Sequence, residues 1–256
     1  MPRIGVNGAG GRMGKTVCRA VTIDPELELV AAVDPRTAGG EVEGVPIAGE
    51  LKAFADAGAE VVVDFTVADA ARITVPWLAM HGIHAVVGTT GLTEDDLALF
   101  GQEFGKGGPN CVVAPNFSLS AVVMMRLAEV AAPYFDTAEI IELHHDGKAD
   151  APSGTAIVTA DRMAASSDQW APDPTKTEVL AGARGGAGAA GIRIHSVRMR
   201  GMVAHQEVIL GALGQSLTIR QDSYDRDSFM PGVILACKHV AEHDGLTIGL
   251  ERLLGL

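Results

Sequence analysis

The stretch from residue 142 to residue 155 concentrates the side chains that can do chemistry, and its sequence is E-L-H-H-D-G-K-A-D-A-P-S-G-T. A histidine can give or take a proton near neutral pH, and a nearby lysine supplies fixed positive charge or a second proton. His144, His145 and Lys148 together therefore favour acid–base chemistry of the kind that the reduction of a conjugated imine needs. The alternative is structural, with two histidines that have ordinary partners at a strand end and a solvated lysine.

The end of this stretch is also a candidate anion site. Ser153 lies where a helix can begin, so the backbone N–H groups of Gly154 and Thr155 would face an anion such as a carboxylate. A plain helix cap explains the same residues without a ligand. Further candidates for an anion contact lie on or after a later predicted strand, and the sequence does not rank them: Arg198, Arg200 and His205.

Metal chemistry is not expected from these residues. Adjacent side chains on a strand point to opposite faces, so His144 and His145 form a poor chelate. The three cysteines, Cys18, Cys111 and Cys237, are far apart and show no C-x-x-C spacing. We therefore expect no metal site and no disulfide framework, and a reducing compartment.

A second set of residues is typical of dinucleotide binding. The sequence G-A-G-G-R-M-G at residues 8–14 follows a predicted strand and opens a predicted helix at Arg12. Glycines there allow a tight turn and bring backbone N–H groups close to a pyrophosphate. The alternative is a tight turn with no ligand. The predicted contacts in this turn are Gly8, Ala9, Gly10, Gly11, Arg12 and Met13.

The residues after the second predicted strand bear on the choice of cofactor. Asp34 can accept hydrogen bonds from the adenine-ribose hydroxyls, which favours NADH. Arg36 and Arg12 flank the same corner, and a guanidinium can pair with a 2′-phosphate. The sequence therefore predicts contacts from Asp34 and Arg36 and leaves both NADH and NADPH open.

Two later turns follow strands of the same predicted sheet, and open α/β sheets bind ligands beyond the carboxyl ends of their strands. In the first, small residues at Gly88, Thr89 and Thr90 would let a flat nicotinamide approach the backbone. The second could be a hinge, the floor of the cofactor site, or both, and it consists of Ala114, Pro115, Asn116 and Phe117.

The elements that must position these residues divide into two groups. Short apolar runs separated by helix-like stretches predict a parallel sheet covered on both faces, which is a Rossmann dinucleotide-binding domain over residues 1–116. A smaller α+β domain with a mixed or antiparallel sheet is predicted over residues 117–227. A helix at 228–242, capped at Ser228, is expected to bring residues 228–256 back onto the first domain. The predicted strands are 4–7, 27–33, 61–65, 84–87, 111–114, a strand that ends in the pair His144 and His145, and then 194–198, 206–210 and 216–221.

Composition excludes several classes of protein. The chain has 256 residues, 47% of them hydrophobic, and a formal net charge of −12, so its field repels polyanions and argues against general nucleic-acid binding. Its start enters a predicted strand directly, without the features of a signal peptide. No apolar run approaches the roughly 18 residues of a membrane helix. We expect a cytoplasmic protein that does not interact with membranes.

These motifs resemble those of the dihydrodipicolinate reductase family over nearly the whole chain. The most specific is E-x-H-H-x-x-K-x-D-A-P-S-G-T at residues 142–155. The others that carry the resemblance are residues 8–14, Asp64-Phe65-Thr66, Gly88-Thr89-Thr90-Gly91 and Pro115-Asn116-Phe117-Ser118.

The resemblance implies NAD(P)H-dependent reduction of dihydrodipicolinate to tetrahydrodipicolinate in lysine and diaminopimelate biosynthesis, by a homotetramer assembled through the second domain. It implies that His144 is the catalytic acid/base and Lys148 the proton donor. Asp146-Gly147 departs from the basic or His-containing residues expected of the family, which removes positive charge beside an anionic substrate. The implied substrate contacts are His145, Lys148, Ser153, Gly154, Thr155 and Arg198.

Two other functions compete with this one. A regulatory protein could keep the Rossmann domain and bind NAD(P) without turnover, but it would have no need of both His144 and Lys148 beside a helix start. Another two-domain oxidoreductase could act on a semialdehyde through an acyl intermediate. That chemistry needs a nucleophilic cysteine in the second domain, and Cys237 lies in the final predicted helix.

Overall fold

Short apolar strands that alternate with helices form the first of the two compact units into which the chain divides. This unit comprises residues 1–119 and 226–256, and the second comprises residues 120–225. The computed structural model describes residues 1–105 and 107–256. The strands are β1 Arg3–Asn7, β2 Glu28–Val33, β3 Glu41–Val42, β4 Val45–Ala48, β5 Val61–Asp64, β6 His84–Val87, β7 Cys111–Val113, β8 Thr137–His144, β9 Gly186–Ala187, β10 Arg193–Arg198, β11 Ala204–Ala212, β12 Gln215–Ser223 and β13 Leu246–Ile248.

The helices lie between these strands or pack at their ends. They are α1 Arg12–Ile23, α2 Lys52–Asp56, α3 Ala68–Met80, α4 Glu94–Glu103, α5 Leu119–Ala131, α6 Gly154–Ser166, α7 Met230–His239 and α8 Glu251–Leu254. Short 3₁₀ turns occupy Ala132–Tyr134, Ala189–Gly191, Arg226–Phe229 and Val240–Glu242. Among the described residues, no helix combines the length and the apolar character that crossing a membrane requires.

The first unit is built on an eight-stranded sheet with the order β13-β7-β6-β5-β1-β2-β4-β3. Every neighbouring pair is parallel except β3 and β4, which form a small antiparallel ribbon. Phe54, Leu78 and Phe100 belong to the hydrophobic core cluster together with alternate strand residues such as Val62. Because neighbouring strand residues point to opposite faces, the other strand residues need a second cover. Helices α1 and α7 pack together, and α7 also contacts β5 and β6.

The second unit has a mixed five-stranded sheet with the order β12-β11-β8-β10-β9. Strand β8 is central, and it pairs in parallel with β10 and antiparallel with β11. Helix α6 buries one stripe of residues, Ala156, Thr159, Ala160 and Met163, which recur at the spacing of an amphipathic helix. The end of β8 and the start of α6 are therefore held by the core of a single unit.

The predicted fold class, a Rossmann domain with a smaller mixed-sheet domain, is confirmed. The predicted cap at Ser228 is wrong, because residues 226–229 form a 3₁₀ turn and α7 begins at Met230 after Phe229. Pro231 explains the start, since a proline in the first helical turn loses no hydrogen bond and has a helical φ. Strand β13, which extends the sheet of the first unit at its edge beside β7, was not predicted.

Candidate active site

A glycine turn connects the carboxyl end of β1 to helix α1. Gly8 has φ +77°, and its N–H donates to the carbonyl of Val33 at 2.8 Å. A side chain at Gly14 would collide with the backbone carbonyl of Gly8, so only glycine lets α1 pack this closely against the turn. The residue before the helix, Gly11, provides no side-chain cap. The turn therefore presents a helix N-terminus whose partial positive charge favours an anion.

Asp34 is anchored beside this turn by two backbone groups. Its Oδ2 accepts the N–H of Gly10 at 3.1 Å, and its Oδ1 accepts the N–H of Arg36 at 2.9 Å. A carboxylate offers about four lone-pair sites, so two remain for a ligand. A cavity of about 460 Å³ opens here, lined by Gly8, Gly11, Asp34, Arg36 and Thr66 among others. Its size and its acceptor fit the adenosine half of a dinucleotide.

A second cavity of the first unit, of about 310 Å³, brings several predicted residues together. Gly88 and Thr90 line it with the whole of the segment 114–117, and Met13 and Phe229 complete it. The ring centroids of Phe65 and Phe117 are 5.6 Å apart, and the two ring planes are tilted by 55°. These apolar walls suit a flat ring such as nicotinamide. Four predicted cofactor residues line neither cavity: Ala9, Gly10, Arg12 and Thr89.

Asp64, for which the sequence predicts no role, is wholly buried at the end of β5. Its Oδ1 accepts the Thr66 hydroxyl at 2.7 Å and the Thr89 hydroxyl at 2.6 Å, and its Oδ2 accepts the Asn7 side-chain N–H at 2.8 Å. Asp64 therefore ties together the ends of β1, β5 and β6. The only sequence signal was its place in the Asp64-Phe65-Thr66 motif.

In the second unit, His144 is the last residue of β8 and is half-buried. Its Nδ1 lies 2.6 Å from Oε2 of Glu142, whose side chain has no exposed surface. A carboxylate only accepts, so this contact places the proton of the neutral ring on Nδ1. Burial lowers the pKa of His144, the carboxylate of Glu142 opposes that shift, and the charges of Lys148 and Arg198 reinforce it. His144 is therefore neutral near pH 7.

Glu142 is the centre of this arrangement, although the sequence predicts no role for it. Arg198 donates to both of its oxygens, with Nη1 to Oε2 and Nη2 to Oε1 at 2.8 Å each. The backbone N–H of Ser153 donates to Oε1 at 3.2 Å. Burial alone would raise the pKa of Glu142, but hydrogen bonds from Arg198, Ser196 and His144 outweigh it and hold the pKa below its ordinary value. Glu142 is therefore a buried, charged carboxylate with a full set of donors.

Arg198 also uses its remaining terminal N–H groups within the protein. Nη1 donates to the carbonyl of Val197 at 2.8 Å and Nη2 to that of Asp150 at 2.7 Å. Its Nε is buried with no hydrogen-bond partner among the described residues. Its predicted contact with a substrate carboxylate stays a prediction, and these bonds compete with it.

The two other candidates for an anion contact have protein partners. Arg200 is exposed, and its Nε lies 3.0 Å from Oδ2 of Asp146, the acidic residue that departs from the family pattern. This ion pair partly neutralises the charge of Asp146. His205 is buried, with Nδ1 2.7 Å from Asp222 and Nε2 accepting the N–H of Val203 at 3.2 Å. Both of its ring nitrogens are thus satisfied inside the protein.

The remaining residues of the segment lie around the start of α6. Lys148 donates to both carboxylate oxygens of Asp150, at 2.9 and 2.7 Å, and His145 is exposed. Ser153 caps the helix, with its hydroxyl accepting the N–H of Ala156 at 3.2 Å. Gly154 is exposed, and a side chain built there would meet nothing within 4 Å. The second unit thus combines a neutral histidine, a lysine and an open helix start.

Two other chemistries find no support in the structure. Burial raises the pKa of the Cys237 thiol to about 12, so this cysteine is inaccessible and protonated rather than a nucleophile for an acyl intermediate. Across residues 1–105 and 107–256, no group of three or more His, Cys, Asp or Glu side chains is arranged to hold a metal ion.

Comparison with known proteins gives matches over both units. Residues 2–117 match the family model described as dihydrodipicolinate reductase, N-terminus, and residues 120–254 match the model of its C-terminus. A 4-hydroxy-tetrahydrodipicolinate reductase of Corynebacterium urealyticum is 48% identical over 263 residues, with 100% of each chain covered. The enzyme of the same name from Beutenbergia cavernae is 49% identical, with 99% of each chain covered.

A solved structure matches the whole fold. It is a dipicolinate-bound dihydrodipicolinate reductase from Paenisporosarcina sp. TG-14, which is 37% identical to this chain with a TM-score of 0.90. The alignment covers 98% of this chain and 99% of that one.

Proposed function

The chain belongs to the dihydrodipicolinate reductase family, and from this premise we propose that it converts 4-hydroxy-tetrahydrodipicolinate, by loss of water to dihydrodipicolinate and addition of a hydride and a proton, to tetrahydrodipicolinate with NADH or NADPH. This is a step of lysine and diaminopimelate biosynthesis. The observation that carries the proposal is the neutral His144, held at Nδ1 by buried Glu142, in one segment with Lys148 and the start of α6.

The first unit is the dinucleotide-binding domain. The amides at the start of α1 bind the pyrophosphate, and the two unused acceptor sites of Asp34 receive the ribose hydroxyls. The cavity lined by Gly88, Thr90 and residues 114–117 holds the nicotinamide. When bound, the reduced cofactor supplies a hydride. Gly10 contributes because its N–H anchors Asp34, and Thr89 contributes because its hydroxyl anchors Asp64. Ala9, Arg12 and Met13 complete the turn.

The second unit is the substrate-binding and oligomerisation domain, and it handles the proton. With Nδ1 committed to Glu142, Nε2 of His144 is the nitrogen that exchanges a proton with the substrate. Lys148 is the proton donor, and Asp150 orients its ammonium group. Lys148 thus provides the proton that must accompany hydride addition, and the unprotonated Nε2 of neutral His144 is the acceptor in the exchange.

The substrate is a small dicarboxylate, and the start of α6 binds one of its carboxylates. The helix N-terminus favours an anion, and the absence of a side chain at Gly154 allows close approach. His145 and Lys148 add hydrogen-bond donors nearby, and Ser153 and Thr155 complete the pocket. The dipicolinate bound to the Paenisporosarcina reductase is a planar dicarboxylate of the same class.

We also propose that the protein is a cytoplasmic homotetramer that binds neither nucleic acid nor membranes. Strand β12 lies at the edge of its sheet, and Leu213 and Leu217 are exposed on and beside it, which supports self-association through the second unit. Light scattering on the purified protein tests this assembly. It should give the mass of four chains of 26.5 kDa, and a monomer mass would contradict it.

The activity itself is tested by following the reduced-nicotinamide absorbance band. The protein is mixed with freshly generated dihydrodipicolinate precursor and either NADH or NADPH, and we expect substrate-dependent loss of the band. Cofactor binding without any loss would instead favour a regulatory NAD(P)-binding protein or a different substrate.

A further inference from the structure

Resting on the proposed function, we propose that Glu142 is a positioning residue of the reaction, which sets the tautomer and the proton affinity of His144 and couples them to the start of α6. Glu142 lies two residues before His144 on β8, so both side chains are on the same face of the sheet. Its carboxylate contacts His144 and Ser153 at the same time.

The geometry leaves Glu142 little freedom. Arg198 on the neighbouring strand β10 binds both of its oxygens, and the side chain of Glu142 is completely buried. The carboxylate can neither rotate nor leave without breaking this pair. His144 therefore meets an acceptor fixed at Nδ1, which leaves Nε2 as the nitrogen not bound to Glu142. In this role Arg198 acts through Glu142 rather than by touching the substrate.

Electrostatics predicts the direction in which the pKa of His144 moves when Glu142 loses its charge. The charged groups that face His144 are Glu142 on β8, Lys148 in the following loop and Arg198 on β10. The two cations and burial favour the neutral ring, and only Glu142 favours the imidazolium. Removing the charge of Glu142 must therefore move the titration of His144 to lower pH.

The same strand provides a matched control. Glu139 also accepts hydrogen bonds from one arginine and one histidine, with Arg184 at 2.5 Å and His195 Nε2 at 2.7 Å. Its side chain is 37% exposed, and neither partner belongs to the segment 144–155. Glu139→Gln therefore removes the same carboxylate charge from an arginine and a histidine without changing any contact of His144.

The test compares Glu142→Gln with Glu139→Gln in the full-length protein. Glu142→Gln should lower kcat by about 10²–10⁴-fold, the range of a general acid–base group, and leave the KM for the cofactor unchanged. The acidic limb of its kcat/KM profile should move to lower pH. Glu139→Gln should stay within about twofold of the unmodified enzyme, because exposed ion pairs contribute little. An unchanged kcat and pH limb in Glu142→Gln would overturn the proposal.

A second measurement needs no variant of Glu142 and no turnover. Long-range ¹H–¹⁵N NMR of the unmodified protein reports which ring nitrogen of each neutral histidine carries the proton, and the signal missing from His144→Gln identifies His144. The Nδ1–H form is expected, and the Nε2–H form would overturn the proposal. If the unmodified protein lacks reductase activity, the proposed function fails while this test of the Glu142 contact still stands.

Discussion

Replacing Asp34 by alanine should change how the protein distinguishes NADH from NADPH. Two of the four acceptor sites on the carboxylate are used by the N–H groups of Gly10 and Arg36, so two remain for the ribose hydroxyls. A hydrogen bond to a charged group is worth about 1.5–3 kcal/mol, and about 1.4 kcal/mol is tenfold in affinity. Asp34→Ala should therefore weaken NADH binding by about 10- to 100-fold if it removes the equivalent of one such bond.

NADPH should respond differently, because its 2′-phosphate replaces a hydroxyl donor and is repelled by the carboxylate. Its dissociation constant should change much less in Asp34→Ala, and it should rise selectively in Arg36→Ala. Fluorescence titration of each cofactor without substrate measures both constants. Asp56→Ala is the control, since Asp56 is exposed and pairs with Lys52 within α2. Equal weakening of both cofactors in Asp34→Ala, with the thermal midpoint unchanged, would refute the assignment of Asp34 to the ribose.

Three further outcomes are expected. His144→Gln combined with Lys148→Ala should leave the dissociation constant of the cofactor unchanged and lower kcat by at least about 10²-fold in the absorbance assay, and an unchanged kcat would place the chemistry elsewhere. Gly14→Ala should abolish measurable cofactor binding in the same fluorescence titration, because a side chain there meets the carbonyl of Gly8 and displaces α1; normal binding would contradict that packing. Hydrogen bonds from Thr175, followed by the contact with Arg193, lower the pKa of Asp173 from 3.8 to about 2. The ionised Asp173 therefore stabilises the folded protein above pH 3.8, and this stabilisation is lost as the pH falls to about 2. The urea midpoints of Asp173→Asn and the unmodified protein should converge over that window.

The sequence was most informative where function depends on local geometry. A glycine turn between a strand and a helix needs glycine at fixed positions, so residues 8–14 were recognisable without a fold. His144 and Lys148 could be singled out because titratable groups close in sequence around a turn must also be close in space. The end of β1, both bounds of β6 and the start of α6 followed from apolar patterning and a serine cap, which are also local signals.

The tertiary structure alone decided which side chains support that chemistry. Glu142 and Arg198 are 56 residues apart and meet only because β8 and β10 pair in parallel, in a register that places Arg198 opposite His144. Asp64 resembles any acidic strand end in the sequence, yet it is fully buried and accepts hydrogen bonds from three strand ends. The substrate contact of Arg198 stays a prediction, and only the structure reveals that its terminal N–H groups donate to protein oxygens. Residue types and short spacings identify the groups that react, whereas the pairing of strands distant in sequence determines which buried charges hold them.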